Sequence, residues 1–295
     1  MVQMTQSKIV LCPPDYFETA VANNAWMSDM SSEERSVNRD LAQREFYSFY
    51  QLITRKALVY LLPPKRGLQD QVFATNVGTV LPHQDKTFIA TKWTAPAREH
   101  EQDVAVQLLM NLGYACVYSP HPFEGEAELK WIRDNEYIGG YGIRTSEKAL
   151  DWITATYGAK IYKVHETDPY LYHLDCSIFP LDNIHVLGCK AKIPKDQWKV
   201  LAKTFQMIDV PVNVAMYGAC NSLRYGMTVF NANNNANYTG RVLKDGLAKN
   251  AYLENVCRQF GLEVVYTPLT QFEKGGGLMS CCVLHLTFDK SELSV

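Results

Sequence analysis

The sequence lacks the features that mark membrane-spanning, secreted and nucleic-acid-binding proteins. Its 295 residues carry a formal net charge of -2 and no basic run interleaved with aromatic residues, so neither a nucleic acid nor an acidic membrane is an expected partner. No stretch approaches the ~18 apolar residues of a spanning helix. The first apolar run, Ile9-Val10-Leu11, is too short for the core of a signal peptide. We therefore expect a cytoplasmic protein.

The eight cysteines lack the spacing of a metal site. No two of them form a CxxC pair, and they are scattered through apolar contexts. Such usage in a long chain is typical of reduced, buried thiols. No glycine-rich phosphate loop follows the first strand, which disfavours a nucleotide-binding fold. We expect neither a metal nor a disulfide framework.

What the sequence does contain is a repeat. Five helix-like segments each end in a short turn and give way to an apolar strand, with further strand candidates such as 72–76 between them. A period of roughly 45–60 residues favours units arranged radially or in an array. A doubly wound sheet is the alternative, because it also alternates strands and helices. The predicted helices span residues 32–56, 96–112, 146–157, 195–205 and 248–260.

A glycine-rich turn near the end of the chain delivers a cysteine. Residues 275–277 are all glycine, and Cys281 and Cys282 follow just before an apolar run. Glycine lets a backbone approach a ligand closely. We expect both cysteines on a final strand, where alternation would point one thiol at a cavity and the other at the core. Inert core thiols are the alternative for both.

The segment around His173 predicts an acid–base group. If residues 171–179 form a strand, His173 and Asp175 share one face with Ser177. A solvated edge strand would show the same pattern. Histidine titrates near neutrality, which suits it to protonate a leaving amine and then activate water.

Acidic residues and one arginine supply charge for a substrate. Glu124, Glu126 and Glu128 recur at every second position, and Arg144 ends the strand predicted near 138–143. Solvated, exposed charges are the alternative for these residues. A cationic substrate, however, needs carboxylates, and the arginine fork suits a carboxylate clamp. Together with a thiol and an imidazole, these groups suit attack on a guanidinium carbon.

Seven segments together resemble the guanidino-group-modifying (pentein) superfamily, in the branch of dimethylargininases, arginine dihydrolases and amidinotransferases. The resemblance covers nearly the whole chain and keeps the family's order of motifs. In chain order the segments are LCPPDYF with NNAWM (11–17 and 23–27), VFATNVG (72–78), FEGEAE (123–128), GYGIRT (140–145), DPYLYHLD (168–175), ACN (219–221) and GGLMSC (276–281).

The resemblance implies a fold and a mechanism. The fold would be a five-bladed α/β propeller of ββαβ repeats, with residues 1–295 forming one catalytic domain. Cys281 would attack the guanidinium carbon. His173 would protonate the departing amine and then activate the water that hydrolyses a covalent amidino-thioether. No metal or organic cofactor is implied.

The resemblance also implies a substrate-binding set. Glu128 and Asp175 would hold the guanidinium nitrogens, and Arg144 the α-carboxylate. Two asparagines, Asn24 and Asn76, would line the pocket. The implied set as a whole is Asn24, Asn76, Glu124, Glu128, Arg144, Asp175 and Asn221.

Three departures from the family pattern fall near the substrate. Glu128 stands where the family has Asp, one methylene shorter, so its contact must be re-aimed. The family's proline in NPWM is Ala25. The branch usually has an arginine or two where this chain reads Thr91-Lys92-Trp93-Thr94, with Arg98 further on. Because lysine cannot replace a bidentate arginine, the α-carboxylate clamp is expected to be built differently.

The leading hypothesis is a hydrolase of the guanidino carbon of arginine or an N-methylated arginine. Asn76 favours arginine and its hydrolysis to ornithine, ammonia and carbon dioxide, while dimethylargininase activity remains open. Amidino transfer to an amine and a catalytically impaired binding protein are the alternatives. The expected partner is a small guanidino compound, and the sequence leaves a homo-oligomer open.

Overall fold

The computed structural model describes residues 6–288 and shows short strands alternating with helices. The strands are β1 (Lys8–Leu11), β2 (Leu58–Leu61), β3 (Gly78–Val80), β4 (Thr87–Ala90), β5 (Ala115–Tyr118), β6 (Leu129–Arg133), β7 (Glu136–Tyr141), β8 (Lys160–His165), β9 (Ile178–Pro180), β10 (His185–Gly188), β11 (Gln206–Asp209), β12 (Leu223–Tyr225), β13 (Thr228–Ala232), β14 (Glu263–Thr267) and β15 (Leu284–Thr287). The helices are α1 (Ala25–Asp29), α2 (Arg39–Ile53), α3 (Glu101–Asn111), α4 (Glu147–Tyr157), α5 (Lys195–Thr204), α6 (Val212–Met216), α7 (Gly240–Gln259) and α8 (Thr270–Glu273). Across these residues, none of the helices has the length and apolarity to cross a membrane.

Within residues 6–288 the strands form five sheets of three strands each. In four sheets an antiparallel pair of consecutive strands is joined by a parallel third strand that follows a helix. In the fifth, β15 pairs antiparallel with β1, and β1 pairs parallel with β2. The last strand of the described chain thus lies in the same sheet as the first. The α/β class and the fivefold repeat predicted from the sequence are confirmed.

Local sequence explains why the repeat forms. Ser146 caps α4, its side chain accepting a hydrogen bond from the Ala149 amide, and Gly158 ends the helix with a φ of 71°. Serine is a preferred N-cap, and a left-handed C-terminal residue favours glycine. The apolar side chains of the strands and helices then bury one another. In one such cluster Leu129 packs with Leu150 and Ile153 of α4, all at most 1 % exposed.

Several predicted boundaries were wrong. The first helix begins at Arg39 rather than at residue 32, because the capping-box contacts of Ser31 and Glu34 close a turn instead. The second is interrupted at His100, whose φ of 76° is incompatible with a helix. The strand predicted at 208–212 ends at Asp209. The last helix begins at Gly240, before residue 248.

The strands predicted at His173 and at Cys281 with Cys282 were also wrong, and so was the strand at 72–76. These segments form one-turn 3-10 helices instead. Successive side chains in a 3-10 helix lie about 120° apart, since it has 3 residues per turn, so the expected strand alternation does not hold. Cys281 and Cys282 are accordingly both buried. The 3-10 turns in these segments are Ala74–Val77, Leu174–Cys176 and Ser280–Cys282, and a further one, Gly125–Ala127, lies in the acidic motif.

Candidate active site

Seven of the nine predicted site residues occupy equivalent places in the five repeats. In each sheet they lie in the segment directly before the first strand of the antiparallel pair, that is, before β3, β6, β9, β12 and β15. The fivefold repeat thereby brings segments together that are far apart in the sequence. In chain order these residues are Asn76, Glu124 and Glu128, His173 and Asp175, Asn221, and Cys281.

Cys281 lies in a buried polar setting. Its Sγ accepts a hydrogen bond of 3.1 Å from Nδ2 of Asn221, and its thiol donates to Oδ2 of Asp175 over 3.5 Å. Burial raises the pKa of the Cys281 thiol to about 12, and the neighbouring Asp175 carboxylate adds to this rise. Without a cation beside it, Cys281 is therefore a thiol at neutral pH.

The same two neighbours hold the backbone of the cysteine turn. Oδ1 of Asn221 accepts the Ser280 amide over 2.8 Å, and Oδ2 of Asp175 accepts the Ser280 hydroxyl over 2.6 Å. Asn221 was predicted to bind substrate, whereas the structure places both ends of its amide on the segment that carries the thiol. The geometry gives it a direct part in holding Sγ.

His173 is paired with Glu124. Its Nε2 lies 2.8 Å from Oε2 of Glu124, and both side chains are buried. Burial tends to raise the pKa of Glu124, but the hydrogen bond from His173 and the charge of Arg144 outweigh it and hold that pKa at about 2. An ionised carboxylate can only accept, so Nε2 carries the proton in this pair. The Nδ1 atom has no hydrogen-bond partner among residues 6–288.

Arg144 and Thr94 complete the surroundings of Glu124. Nη1 of Arg144 donates to Oε2 over 3.0 Å, and the Thr94 hydroxyl donates to Oε1 over 2.6 Å. Arg144 also donates to the carbonyl of Asn23 and lies over the ring of Tyr172, 4.9 Å from its centroid. The residue predicted to clamp an α-carboxylate is thus present in the site, with Glu124 as its partner.

Arg98 enters the site although sequence reasoning placed it outside. Its Nη1 donates to Oδ1 of Asn76 over 3.0 Å, and its Nε and Nη2 donate to Glu101 over 3.0 Å and 2.8 Å. The bend at His100, just after Arg98, accompanies the inward turn of this arginine. A positive φ at a histidine has no sequence signal, and this is why the expected helix concealed it.

Glu128 faces a second carboxyl group that the sequence did not reveal. Its Oε2 accepts the Leu174 amide over 3.1 Å. A Cβ on Gly140 would lie 2.6 Å from that atom and 2.9 Å from the carboxyl group of Glu166, so the two glutamates meet above this glycine. Burial raises the pKa of Glu128, and burial with the nearby Glu128 charge raises the pKa of Glu166 further.

Asn24 supports the glycine loop. Its Oδ1 caps α1 by accepting the Met27 amide over 2.9 Å, and its Nδ2 donates to the Gly275 carbonyl over 3.0 Å. Tyr172 donates to the next carbonyl, that of Gly276, over 2.9 Å. A Cβ on Gly276 would lie 2.7 Å from Nδ2 of Asn24, so a side chain there would collide with the cap.

Cys281 and His173 line one cavity of about 10 Å³, which is close to the volume needed for a single water. Asn23 and Arg144 line this cavity and also an outer recess of about 420 Å³. A larger cavity of about 470 Å³ borders Asn221 and Gly276, but its lining contains neither Cys281 nor His173. We place the chemistry in the small cavity, because it contains the thiol and the imidazole.

Within residues 6–288, no group of three or more His, Cys, Asp and Glu side chains is arranged to hold a metal ion. The acidic side chains near Cys281 instead face arginine, histidine, backbone amides and each other. This arrangement suits an organic cation, which carries several N–H donors.

Comparison with known proteins places this geometry in a family. The protein-family model described as "N,N dimethylarginine dimethylhydrolase, eukaryotic" matches residues 13–288. The chain belongs to this family. The expected resemblance to the guanidino-group-modifying superfamily is therefore confirmed.

Individual relatives fall in two groups. The bifunctional arginine dihydrolase/ornithine cyclodeaminase ArgZ of Synechocystis sp. is 26% identical over 289 residues, which is 95% of this chain and 38% of that protein. The chain thus spans well under half of that relative. The N(G),N(G)-dimethylarginine dimethylaminohydrolase of Mycobacterium tuberculosis is 26% identical over 280 residues, covering 95% of this chain and 85% of that one.

A solved structure shares the fold. The N-terminal domain of ArgZ bound to product superposes with a TM-score of 0.84 and 23% identity, covering 96% of this chain and 98% of that domain. The structural similarity covers nearly the whole length of both chains. It supports the pentein fold for this protein.

Proposed function

We propose that this protein hydrolyses the guanidino carbon of arginine or an N-methylated arginine through a covalent intermediate on Cys281. One observation carries the proposal: a buried thiol held by Asn221 and Asp175 and an imidazole held by Glu124 line the same cavity. The relatives named as arginine dihydrolase and dimethylarginine dimethylaminohydrolase support the substrate class.

In the first half-reaction the substrate itself activates the thiol. A guanidinium beside Asp175 offsets the carboxylate charge that adds to the effect of burial on the pKa of Cys281. The thiol proton passes to Nδ1 of His173, which leaves a thiolate and a protonated imidazole. The sulfur attacks the planar carbon and forms a C–S bond. His173 donates a proton to the departing nitrogen, the C–N bond breaks, and an amine leaves: ammonia from arginine, or dimethylamine from dimethylarginine.

In the second half-reaction water replaces the sulfur. His173, now neutral, takes a proton from water while the oxygen attacks the carbon of the amidino-thioether. The C–S bond breaks, the thiolate is regenerated, and citrulline forms. A dihydrolase would repeat the cycle on citrulline, releasing a second ammonia and then ornithine and carbon dioxide. Glu124 fixes the imidazole and stabilises its charged form throughout.

The proposed substrate contacts follow from position. Asp175 touches Sγ and is placed to hold a guanidinium nitrogen, while Glu128 adds negative charge behind it. Asn76 lines the cavity beside Arg98, whereas Asn24 holds the carbonyl of Gly275, a residue of the glycine loop that lines the cavity. Arg144 borders both the inner cavity and the outer recess. It is therefore suited to hold the α-carboxylate at the outer end of a substrate whose guanidinium lies in the inner cavity.

Entry of the substrate requires Arg144 to move, because this residue borders both the cavity and the recess. Arginine cannot fit a cavity of about 10 Å³. The contacts of Arg144 with Glu124 and with the Asn23 carbonyl separate the cavity from the recess. An incoming carboxylate competes for the same guanidinium and would loosen both contacts. We infer that the substrate enters from the recess.

We propose that the five sheets close into a five-bladed propeller forming one domain. The pairing of β15 with β1 supports this ring, because it joins the two ends of the described chain in one sheet. A cytoplasmic location and a homo-oligomeric state remain proposals that fractionation and sedimentation analysis would test.

The decisive assay is product analysis. The purified protein is incubated with L-arginine, asymmetric dimethylarginine and citrulline, with Cys281→Ser as the control, and products are resolved by mass spectrometry. Ornithine from arginine, lost in the variant, establishes a dihydrolase. Citrulline formed from dimethylarginine alone establishes a dimethylargininase.

Two other outcomes would contradict hydrolysis. An amidino group transferred to added glycine would indicate an amidinotransferase. If no substrate is converted while ligand binding is retained, the protein is a binding descendant of the family.

A further inference from the structure

A buried lysine lies behind the cysteine turn. Lys249, on the inner face of α7, is 3% exposed. Its Nζ donates to Oδ1 of Asn231 over 2.7 Å and to the Ala232 carbonyl, and it lies 5.3 Å from the ring centroid of Tyr266. Within residues 6–288 no carboxylate forms an ion pair with it. Glu273 acts on its charge from a greater distance. A buried ammonium that is held by neutral groups costs stability, so its presence calls for a role.

The partner of Lys249 connects it to the segment before β12. Asn231 is 1% exposed in β13, and its Nδ2 donates to the carbonyl of Gly218 over 2.8 Å, to Oγ of Ser222 over 2.9 Å and to the carbonyl of Asn221 over 3.3 Å. One amide therefore ties three points of a single turn. Because Lys249 occupies the Oδ1 end, the orientation of this amide is fixed.

This turn, which contains Asn221, in its turn holds the thiol of Cys281. Asn221 donates from Nδ2 to Sγ of Cys281 over 3.1 Å and accepts the Ser280 amide at Oδ1 over 2.8 Å. A continuous chain of hydrogen bonds thus runs from Nζ of Lys249 to Sγ. It involves α7, β13, the turn before β12 and the turn before β15.

We propose that Lys249 is a positioning residue for the Cys281 thiol, acting through Asn231 and Asn221. This proposal rests on Cys281 being the nucleophile of the proposed function. Without the ammonium group, the Asn231 amide can rotate, the Asn221 turn loosens, and Sγ loses the N–H group that stabilises its thiolate.

The surroundings of Lys249 predict a pH signature. The groups that face it are Glu273 from α8, the Tyr266 ring from β14, and the neutral amide of Asn231. Burial lowers the pKa of Lys249 to about 7. As the pH rises through neutrality the ammonium loses one of its protons and its charge, and the hydrogen bond from Nζ to Oδ1 of Asn231 weakens.

The test is the rate at which iodoacetamide alkylates Cys281, followed by peptide mass mapping from pH 6 to pH 9 in the full-length protein. Lys249→Met should slow alkylation at neutral pH by about tenfold, the equivalent of one hydrogen bond with a charged partner. The inflection near neutrality in the wild-type profile should disappear. Lys244→Met, an exposed lysine of the same helix, is the matched control and should react like the wild type.

A second variant tests the middle of the chain of hydrogen bonds. Asn231→Asp keeps an acceptor for Lys249 but removes the donor to Asn221, so it should slow alkylation similarly, and the double variant should be no slower than either one. Wild-type rates in a folded Lys249→Met overturn the proposal. If that variant does not fold, wild-type rates in Asn231→Asp overturn it instead. Alkylation needs no substrate, so the result is independent of whether arginine is turned over.

Discussion

The acidic motif of residues 123–128 supplies the glutamate of two buried histidine–glutamate pairs. The two pairs differ in what surrounds the imidazole. Glu124 pairs with His173 over 2.8 Å, and Glu126, two residues on, pairs with His285 over 2.6 Å. Both pairs are at most 9% exposed. By charge and burial alone they look alike.

The second ring nitrogen separates them. Nε2 of His285 is taken by the Tyr225 hydroxyl at 2.8 Å, and its backbone amide also donates to Glu126 over 2.8 Å. His173 has one nitrogen on Glu124, and it lines the cavity of Cys281. A histidine with both nitrogens satisfied is a structural cross-link. One that keeps a free nitrogen at a cavity can move a proton.

The largest expected effect comes from replacing His173, with the replacement of His285 as its comparison. His173→Gln should lower kcat by about 10²–10⁴-fold, the usual contribution of an acid–base group. His285→Gln should leave kcat nearly unchanged and lower the melting temperature instead. Steady-state kinetics and thermal unfolding of both variants provide the test. Equal losses of kcat in two folded variants would remove the distinction between the pairs.

Replacing the carboxylate of the first pair should have a smaller effect. Glu124→Gln keeps the size of the side chain but removes the charge that orients His173 and stabilises its protonated form. We expect a loss in kcat on the order of 10²-fold, at the low end of the range for such groups. The KM for an α-carboxylate substrate should not rise, because Arg144 is freed from its partner. A large rise in KM with unchanged kcat would instead make Glu124 a substrate-binding residue.

The second pair should show its effect in stability. Burial tends to raise the pKa of Glu126, but the charge and hydrogen bonds of His285 outweigh it and lower that pKa. The stabilisation is thus fully present above the unfolded-state pKa near ~4.3 and is lost as the pH falls through the lower folded-state value. Glu126→Gln should cost about 1–3 kcal/mol of unfolding free energy at pH 7. In urea denaturation series, the difference from wild type should shrink in acid, and a constant difference would refute the linkage.

The smallest effect is expected from Tyr225→Phe, which removes the hydroxyl from Nε2 of His285. The loss of one hydrogen bond should cost about 0.5–1.5 kcal/mol, measurable by chemical denaturation. Activity should not change, because His285 is not among the residues that line the cavity of Cys281. A gain or loss of kcat beyond experimental error would show that the two pairs communicate.

The sequence was informative where chemistry and periodicity agree. The five helices, the α/β class and the cysteine, histidine and carboxylate motifs all follow from residue types and spacing. The helix of residues 146–157 is nearly as predicted, because a serine cap and a terminal glycine both mark its ends.

The sequence was misleading where tertiary contacts set the backbone. His173 and Cys281 were expected on strands, yet His173 directly precedes a one-turn 3-10 helix and Cys281 lies in another. Backbone amides of these two turns donate to Glu128 and Asn221, which are distant in the sequence. Arg98 was hidden in a predicted helix that breaks at His100. Asn231 opens an asparagine-rich stretch, residues 231–240, whose composition is typical of a loop, yet it is buried in β13. Such pairings depend on how the repeats assemble, and local propensity does not record that.

The most direct test of the account is to trap the intermediate. The protein is mixed with L-arginine or asymmetric dimethylarginine, quenched in acid within the first turnover, digested and mapped by mass spectrometry. The account predicts an addition equal to the substrate less its leaving amine on Cys281, with Cys282 unmodified and no adduct in Cys281→Ser. Product formation without an adduct on Cys281, or an adduct on Cys282, would contradict it.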